Sequence, residues 1–507
     1  MNLLTDDWIP VRPLSGGEGQ QITLQTLLCD DRRWLVALPR DDMEMATFQL
    51  LVCLLQTLWM PSDAQQLVQR IRQPLSAREF ADGVAGWQQA FDLNHPQQPF
   101  MQVRGVAAKE VTGMDKLLVG LTGSTSGAFV NQSGQGKALC SGCTAIALFN
   151  QACNAPGFGG GFKSGLRGGS PVTTLVQGDC LRTTLWFNVL SETTLDEFCP
   201  DWREQRAQPF TWQQPIKKDQ AIAGSSIGLA RGLFWQPAHI ELSPPDGAGQ
   251  CSACGRMASQ RYRSFLKEKF NFTVNGLWLH PHSPLIQQIK KGQVEWRYMA
   301  FSTPAPSWTQ IGRLLIEQQV NKQQEGRRVA TTVEQARMLS RGRALRLMIG
   351  GYRNNQASII ERRHEVLQFN QGWQHAMPVI NEIVNLGLEY RKALRTALWI
   401  FAEGAKESDI KGAGVALHEK VDPQYYRQSH ARVLNLLAQI DYQSPLPQLE
   451  QFQTQQQQLC QQLFNDLTAP YAHHPKLICS LAKARRYLMS SLAKLKPQGE
   501  HLHGAAV

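Results

Sequence analysis

Two Cys-x-x-Cys pairs carry the most specific chemistry in the chain: Cys140-Ser-Gly-Cys143 and Cys251-Ser-Ala-Cys254, the second followed by Gly255. Two residues between thiolates let both sulfurs face one tetrahedral Zn²⁺, and a small residue eases the knuckle. The 107 residues between the pairs exceed zinc-ribbon spacing, so the pairs meet only through tertiary folding. A redox pair is the competing reading, but two copies argue for four ligands of one metal. Such a closed shell leaves no open position. Cys140, Cys143, Cys251 and Cys254 therefore predict a structural zinc that holds loops rather than a catalytic one.

A glycine-rich run, Pro156-Gly-Phe-Gly-Gly-Gly-Phe-Lys-Ser-Gly-Leu-Arg-Gly-Gly169, invites a phosphate-loop reading. It fails the Walker pattern, because Phe162 stands where Gly must precede Lys163-Ser164, and it fails Gly-x-Gly-x-x-Gly. Gly159, Gly160 and Gly161 remove side chains, so the backbone there can approach a partner closely, with Lys163 and Arg167 adding charge. A flexible surface loop is the plainer alternative. Gly350-Gly-Tyr-Arg-Asn-Asn-Gln-Ala357 reads as a polar loop between basic helices, whose Asn355 and Gln356 could offer amides to base edges; a simple turn competes. In Phe265-Leu-Lys-Glu-Lys-Phe270, an extended backbone puts Lys267 and Lys269 on one side.

Enzyme motifs are weaker. His364-Glu-Val-Leu-Gln368 and His418-Glu-Lys-Val-Asp422 lack the second His of a zinc-protease helix. His280-Pro-His282 has no obvious carboxylate partner and reads as a turn. Gly224-Ser-Ser-Ile-Gly228 has the letters of a nucleophile elbow, but Lys217-Lys-Asp-Gln220 is not the apolar strand an elbow needs. The stronger candidates are all binding features.

Positioning these groups falls to two textures of sequence. Up to about residue 370, strand-like runs such as Trp34-Leu-Val-Ala-Leu38 and Thr184-Leu-Trp-Phe-Asn-Val-Leu190 alternate with helical stretches and Gly-rich loops. Ala46 to Met60 reads as a buried helix; Gln49 and Gln56 interrupt it and it is too short to span a bilayer. From Met377, Ile380, Ile383, Val384, Gly387, Leu394, Leu398 and Phe401 follow helical spacing. Tyr425 to Ile440, Leu449 to Leu467 and Pro475 to Lys496 are three more helices, separated by breakers, and four such helices predict a bundle. The Gln455 to Gln458 run falls inside the third.

The chain has 507 residues, 42 % of them hydrophobic, enough for ordinary cores, and its length argues for two to four domains. Gly and Pro together make about 13 %, which excludes a collagen-like or disordered whole. Lys and Arg number 52 against 41 acids, a net +11, and only 18 % of residues are charged. Eleven basic and four acidic residues between Arg313 and Arg363 supply +7 of that. A second basic stretch holds Lys476, Lys483, Arg485, Arg486, Lys494 and Lys496, with Lys483, Arg486 and Lys494 on one helical face. Phosphate backbones attract such clusters, although a solvated helix face or a protein-interface rim explains them equally. An acidic N-terminus and eleven scattered cysteines predict no export signal, no membrane segment, reduced thiols and a cytoplasmic location.

Read together, eight segments resemble the large-subunit (CasA) family of type I-E CRISPR Cascade surveillance complexes. They are Asp7-Trp-Ile-Pro-Val-Arg12, Leu38-Pro-Arg-Asp-Asp-Met-Glu44, Ala128-Phe-Val-Asn-Gln132 and the glycine-rich run 155–169. Arg231-Gly-Leu-Phe-Trp-Gln-Pro-Ala-His-Ile240, Gly350-Gly-Tyr-Arg-Asn-Asn-Gln-Ala-Ser358, Phe369-Asn-Gln-Gly-Trp373 and Ala469-Pro-Tyr-Ala-His-His-Pro475 complete the set. The resemblance implies an α+β fold: a large mixed α/β N-terminal domain with a zinc-stabilised loop region, 1–376, followed by a C-terminal four-helix bundle, 377–507. It implies a non-catalytic subunit that recognises the PAM in double-stranded DNA, helps open the duplex for R-loop formation and docks a helicase-nuclease in antiviral defence. Its expected partners are the other Cascade subunits, the crRNA 5′ handle and PAM-containing duplex DNA. The family's glycine loop falls on Gly157, Gly159, Gly160 and Gly161 beside Lys163, with Gly160 at the closest approach; its lysine finger falls on Lys269 and its wedge on Asn355, Gln356 and Ala357. Its loop near the crRNA handle and PAM starts at Phe129, Val130 and Asn131 and runs into Cys140. The competing readings are an enzyme with an unrecognised nuclease or hydrolase site using His280 or His282, and a zinc-stabilised scaffold whose basic patches face only protein.

Overall fold

A computed structural model of the chain describes residues 1–121, 134–290, 292–319, 325–340, 342–405 and 410–497. They form two compact units. The first comprises Met1–Ser302, Glu317–Leu339 and Leu347–Val366; the second comprises Thr303–Ile316, Ser340–Arg346 and the chain from Leu367 onward. The architecture is mixed α/β with a helical C-terminal region. Among the described residues, no helix is long and apolar enough to cross a membrane.

The first unit is built around helix Asp41–Leu58, in which every residue from Met45 to Gln56 is buried. Asp41, Asp42 and Glu44 occupy its first turn, where the helix dipole favours negative charge. Helix Ser141–Cys153, buried from Gly142 to Cys153, packs against it. The strand expected at Trp34 forms as Trp34–Val36, pairing Val36 with Val11 of strand Ile9–Pro13. The run Thr184 to Leu190, expected as a strand, lies instead in and just beyond helix Leu181–Phe187. Of its buried residues Leu181, Thr184, Leu185 and Trp186, the first three follow helical spacing, and the Cys180 N–H donates to the Thr183 hydroxyl at 3.1 Å, capping the first turn. Tertiary burial overrode the strand propensity of this β-branched and aromatic run.

A second correction concerns the Gly350–Ala357 segment. It joins no helices: strands Leu345–Asn355 and Ser358–Phe369 form a long hairpin, and Thr173–Val176 adds the third strand of the sheet. Leu347 pairs with Val176 and Gly350 with Thr173. The first strand is buried on both faces from Leu347 to Gly350, and the second alternates at its end, with Leu367 and Phe369 buried on either side of exposed Gln368. A three-stranded sheet of Thr112–Gly113, Ser264–Glu268 and His239–Leu242 lies elsewhere in the same unit, with Lys267 opposite Ile240.

The second unit contains helices Met377–Glu403, Leu417–Gln439, Leu446–Thr468 and Ile478–Lys494. The second begins eight residues before the expected Tyr425 and carries Pro423 within it. Its Tyr425 hydroxyl donates to the Gly387 carbonyl at 2.6 Å and lies 3.0 Å from Gln456 Oε1, linking three helices. The Gln455–Gln458 run is helical, and Gln456 is buried at this junction. Helix Ile478–Lys494 buries only a narrow stripe of Ser480, Ala484, Leu488 and Leu492.

Candidate nucleic-acid interface and metal centre

Four cysteines from two distant segments converge. Strand Leu139–Cys140 pairs Cys140 with Arg261, and Cys140 then caps helix Ser141–Cys153. Cys251 and Cys254 sit in the tight turn between strands Gly249–Gln250 and Met257–Ala258. Backbone bonds from Cys251 to the Arg256 carbonyl (2.7 Å) and from Gly255 to the Cys251 carbonyl (2.9 Å) close that turn. The four sulfurs lie within 4.8 Å of one another, and Cys140 Sγ is 3.9 Å from Cys254 Sγ. Tetrahedral zinc with Zn–S bonds near 2.3 Å spaces its sulfurs about 3.8 Å apart, so this donor set fits a metal ion. Hydrogen bonds from the Cys140 and Cys143 thiols hold Cys251 and Cys254 below the ordinary thiol range. The Cys140 N–H also donates to Cys251 Sγ at 3.2 Å. The same contacts, with burial, push the Cys140 and Cys143 thiols up, so two of the four sulfurs are held as thiolates, the form that binds metal.

A second constellation gathers around the glycine loop. Gly157 is packed tightly: a Cβ there would lie 2.6 Å from the Phe162 carbonyl oxygen and 2.7 Å from that of Lys163. Beyond it Gly159, Gly160 and Gly161 all take positive φ, +85°, +59° and +90°. A Cβ on Gly160 would meet nothing within 4 Å. Gly160, Gly161 and Lys163 are exposed. Lys269, just beyond strand Ser264–Glu268, donates from Nζ to the Gly160 carbonyl at 2.8 Å. Lys267 hydrogen-bonds Thr112 at 2.7 Å and faces the Phe158 and Phe162 rings at 5.8 and 6.0 Å. Burial, then the neighbouring Lys116, pushes its pKa down.

The hairpin tip completes the groove. Asn355 and Gln356 are exposed, and Gln356 takes φ +52° in the turn. Such a conformation strains a residue with a Cβ and often accompanies function. Asn354 Nδ2 donates to the Gln356 carbonyl at 2.5 Å, bracing the turn. A Cβ on Gly159 would lie 3.5 Å from the Ala357 Cβ, so loop and tip abut. Gly157, Gly159, Gly160, Asn355, Gln356 and Ala357 line one open groove of about 600 Å³. Phe129, Val130 and Asn131 lie outside the described residues. The chain that follows is described from Gly134 and enters the cysteine cluster at Cys140.

Other charged candidates turn inward. Arg167 is 4 % exposed, not part of the loop's outer face; it donates to Thr173, Ser283, the Cys153 carbonyl and Asn154. Burial lowers its pKa to about 10. His280 and His282 are buried, and burial followed by the Arg167 charge holds both well down, His282 at about 3. Both rings are shut off from solvent. The basic segment 313–363 is not one helical face: Arg353 and Arg363 pair with Glu361, Arg362 pairs with Asp41, Arg337 pairs with Glu334, and Arg363 stacks over Phe301 at 4.5 Å. On the last helix Lys483, Arg486 and Lys494 are exposed, as helical spacing required. A short strand, Gln220–Ala223, does precede Gly224, but it is mostly exposed rather than apolar, and the Ser226 hydroxyl donates to the Ala223 carbonyl at 2.8 Å.

The support beneath the hairpin escaped sequence reasoning. Arg40 makes a two-pronged bond to Asp42 (2.8 and 3.0 Å), and the Tyr352 hydroxyl donates to Asp42 Oδ2 at 3.0 Å while accepting from Asn150 at 2.7 Å. This buried network fixes the stem to helix Asp41–Leu58. The Arg40-Asp-Asp42 string was visible, but nothing in one sequence pairs it with residues 310 positions away.

Residues 2–465 match the family model for the CRISPR-associated protein Cse1. Thermobifida fusca Cse1 superimposes with a TM-score of 0.75 at 17 % identity, covering 100 % of this chain and 99 % of that one. Thermus thermophilus CasA (Cse1) gives 0.72 at 16 %, covering 98 % and 99 %. A chain of a CRISPR RNA-guided surveillance complex gives 0.63 at 14 %, covering 96 % and 99 %.

Proposed function

The chain belongs to the CRISPR-associated Cse1 (CasA) family, the large subunit of type I-E Cascade, and from that premise we propose that it reads the PAM of double-stranded DNA and begins to open the duplex. The observation that carries this reading is the single groove lined by the glycine loop and the hairpin tip, with Lys269 bonded across to Gly160. Side-chain-free backbone and one cation suit the minor groove, where A·T and T·A look alike, so several PAMs should be tolerated. Lys269 spends one of its three donors on the Gly160 carbonyl and keeps two for the DNA. Gln356, at the strained tip, acts as a wedge beside the PAM, with Asn355 and Ala357 as its shoulders. Unstacking one base step costs a few kcal/mol, and guide pairing then offsets each further step.

In this reading the protein works by binding, not by catalysis. The four cysteines hold a structural zinc that anchors the end of the loop carrying Phe129, Val130 and Asn131, which meets the crRNA 5′ handle and PAM. Other Cascade subunits and crRNA are its partners, as the surveillance-complex relative supports, and a helicase-nuclease docks on it after opening. Duplex reading belongs to the mixed domain expected over 1–376, apart from the bundle expected over 377–507, although 303–316 and 340–346 group with the helices. The test is PAM-dependent binding: the assembled complex should bind PAM-bearing duplex specifically, whereas the isolated chain should bind only weakly and with steep salt dependence. Tight PAM-specific binding by the isolated chain, or none by the complex, contradicts the proposal.

A further inference from the structure

We propose that a groove on helix Met377–Glu403, within the second unit, binds single-stranded nucleic acid, with one base stacked on the Trp399 indole and a flanking phosphate held by Arg395 and Lys392. The groove measures about 630 Å³, within the range of small-ligand sites. Lys392, Arg395 and Trp399 recur at intervals of three and four residues, so they share one helix face over about 10 Å. Trp399 is 50 % exposed, an unusual state for the side chain with most to gain from burial.

The cations beside it are arranged in advance. Asp422 accepts two bonds from Arg391, both 2.9 Å, and one from Arg395 at 2.7 Å. One carboxylate thus fixes two guanidiniums, and Arg391 also lies over the Tyr426 ring at 5.5 Å. Lys392 meets Glu389 only as an exposed pair at 3.3 Å, a contact of little energy that a phosphate can replace. Three cations against Glu389 and Asp422 leave one net positive charge. His418 also lines the groove, and its Nδ1 is buried without a hydrogen-bond partner.

This balance favours a nucleotide over an acidic peptide. A run of carboxylates would meet Glu389 in the groove and Asp422 bonded to two of its arginines, whereas a nucleotide brings a flat π face for the indole and a single phosphate for the excess charge. Base–aromatic stacking tolerates any sequence, so the site needs no particular base. It is independent of PAM reading, which uses other residues and duplex DNA.

The experiment uses the full-length chain and a labelled short oligothymidine, followed by fluorescence anisotropy. Trp399→Ala should weaken binding about tenfold, and Trp399→Phe should restore most of it. An oligomer of equal length with abasic sugars should weaken the wild type by the same factor and leave Trp399→Ala no weaker. Unchanged binding by Trp399→Ala overturns the proposal, as does equal binding of abasic and intact oligomers by the wild type. A polyglutamate peptide bound with the same dependence on Trp399 overturns it in favour of an acidic protein partner.

Discussion

Gly157 and Gly160 lie three residues apart, yet they should fail in different ways. A Cβ on Gly157 would stand 2.6 and 2.7 Å from two backbone carbonyl oxygens, so the loop must open by several tenths of an ångström. Overpacking of this kind costs about 1–3 kcal/mol. At Gly160 the only penalty is conformational, because φ is +59° and no atom lies within 4 Å of the added carbon. A side chain in left-handed backbone costs roughly 1–2 kcal/mol, and in an exposed loop part of that is relieved locally. Gly160→Leu should therefore leave the melting temperature within a few degrees of wild type and still abolish PAM-dependent binding, because leucine occupies the space the DNA backbone must enter. Gly157→Ala should lower both, since the loop itself is displaced. The assay is thermal unfolding of each full-length variant, paired with binding of PAM-bearing duplex by complexes assembled with it. PAM-dependent binding retained by Gly160→Leu refutes the close approach, and a Gly157→Ala variant normal in both measurements refutes the packing.

Metal analysis should give about one zinc per chain, and Cys140→Ser combined with Cys251→Ser should abolish it; full zinc in a folded double variant would rule out the four-cysteine site. Lys269→Ala should weaken PAM binding and slightly flatten its salt dependence, with a smaller loss than Gly160→Leu; an unchanged salt slope would remove the lysine from the interface. Glu44 provides a pH test. Burial, then Asp41, raises its carboxyl to about 7 from an ordinary 4.5, so its contribution to stability is complete below the unfolded value and is lost as pH rises through the folded one. Glu44→Gln should then melt like wild type near about pH 5 and above it near about pH 8, and a difference independent of pH would show that Glu44 is already ionised at the lower value.

The most legible features were those whose logic is local. Two residues between thiols announced a metal knuckle, and the 3.6-residue stripe from Ile380 to Phe401 announced a bundle helix. Gly387 and Gln456 could be placed on helices from sequence, but their meeting at Tyr425 is a product of packing. The errors arose where two periods compete. The arginine-rich stretches before Gly350 and after Ala357 suggest basic helices around a polar loop, whereas both pair as strands of one hairpin. Arg167 looked like surface charge beside a glycine loop, and its burial follows from partners as distant as Ser283. The groove itself required three separate segments, around residues 160, 269 and 356, to meet, and the family resemblance assembled what spacing alone did not.

The central claim is that recognition and opening are separate tasks of one groove. Its most direct test compares Gln356→Ala and Gly160→Leu, each in the assembled complex, on a normal target and on one whose first protospacer pairs are already melted. If Gln356 is the wedge, Gln356→Ala should form R-loops slowly on the normal target and at the wild-type rate on the melted one. Gly160→Leu should stay defective on both, because melting the protospacer does nothing for PAM reading. Equal rescue of the two variants, or rescue of neither, contradicts the account and leaves the hairpin tip as a structural turn.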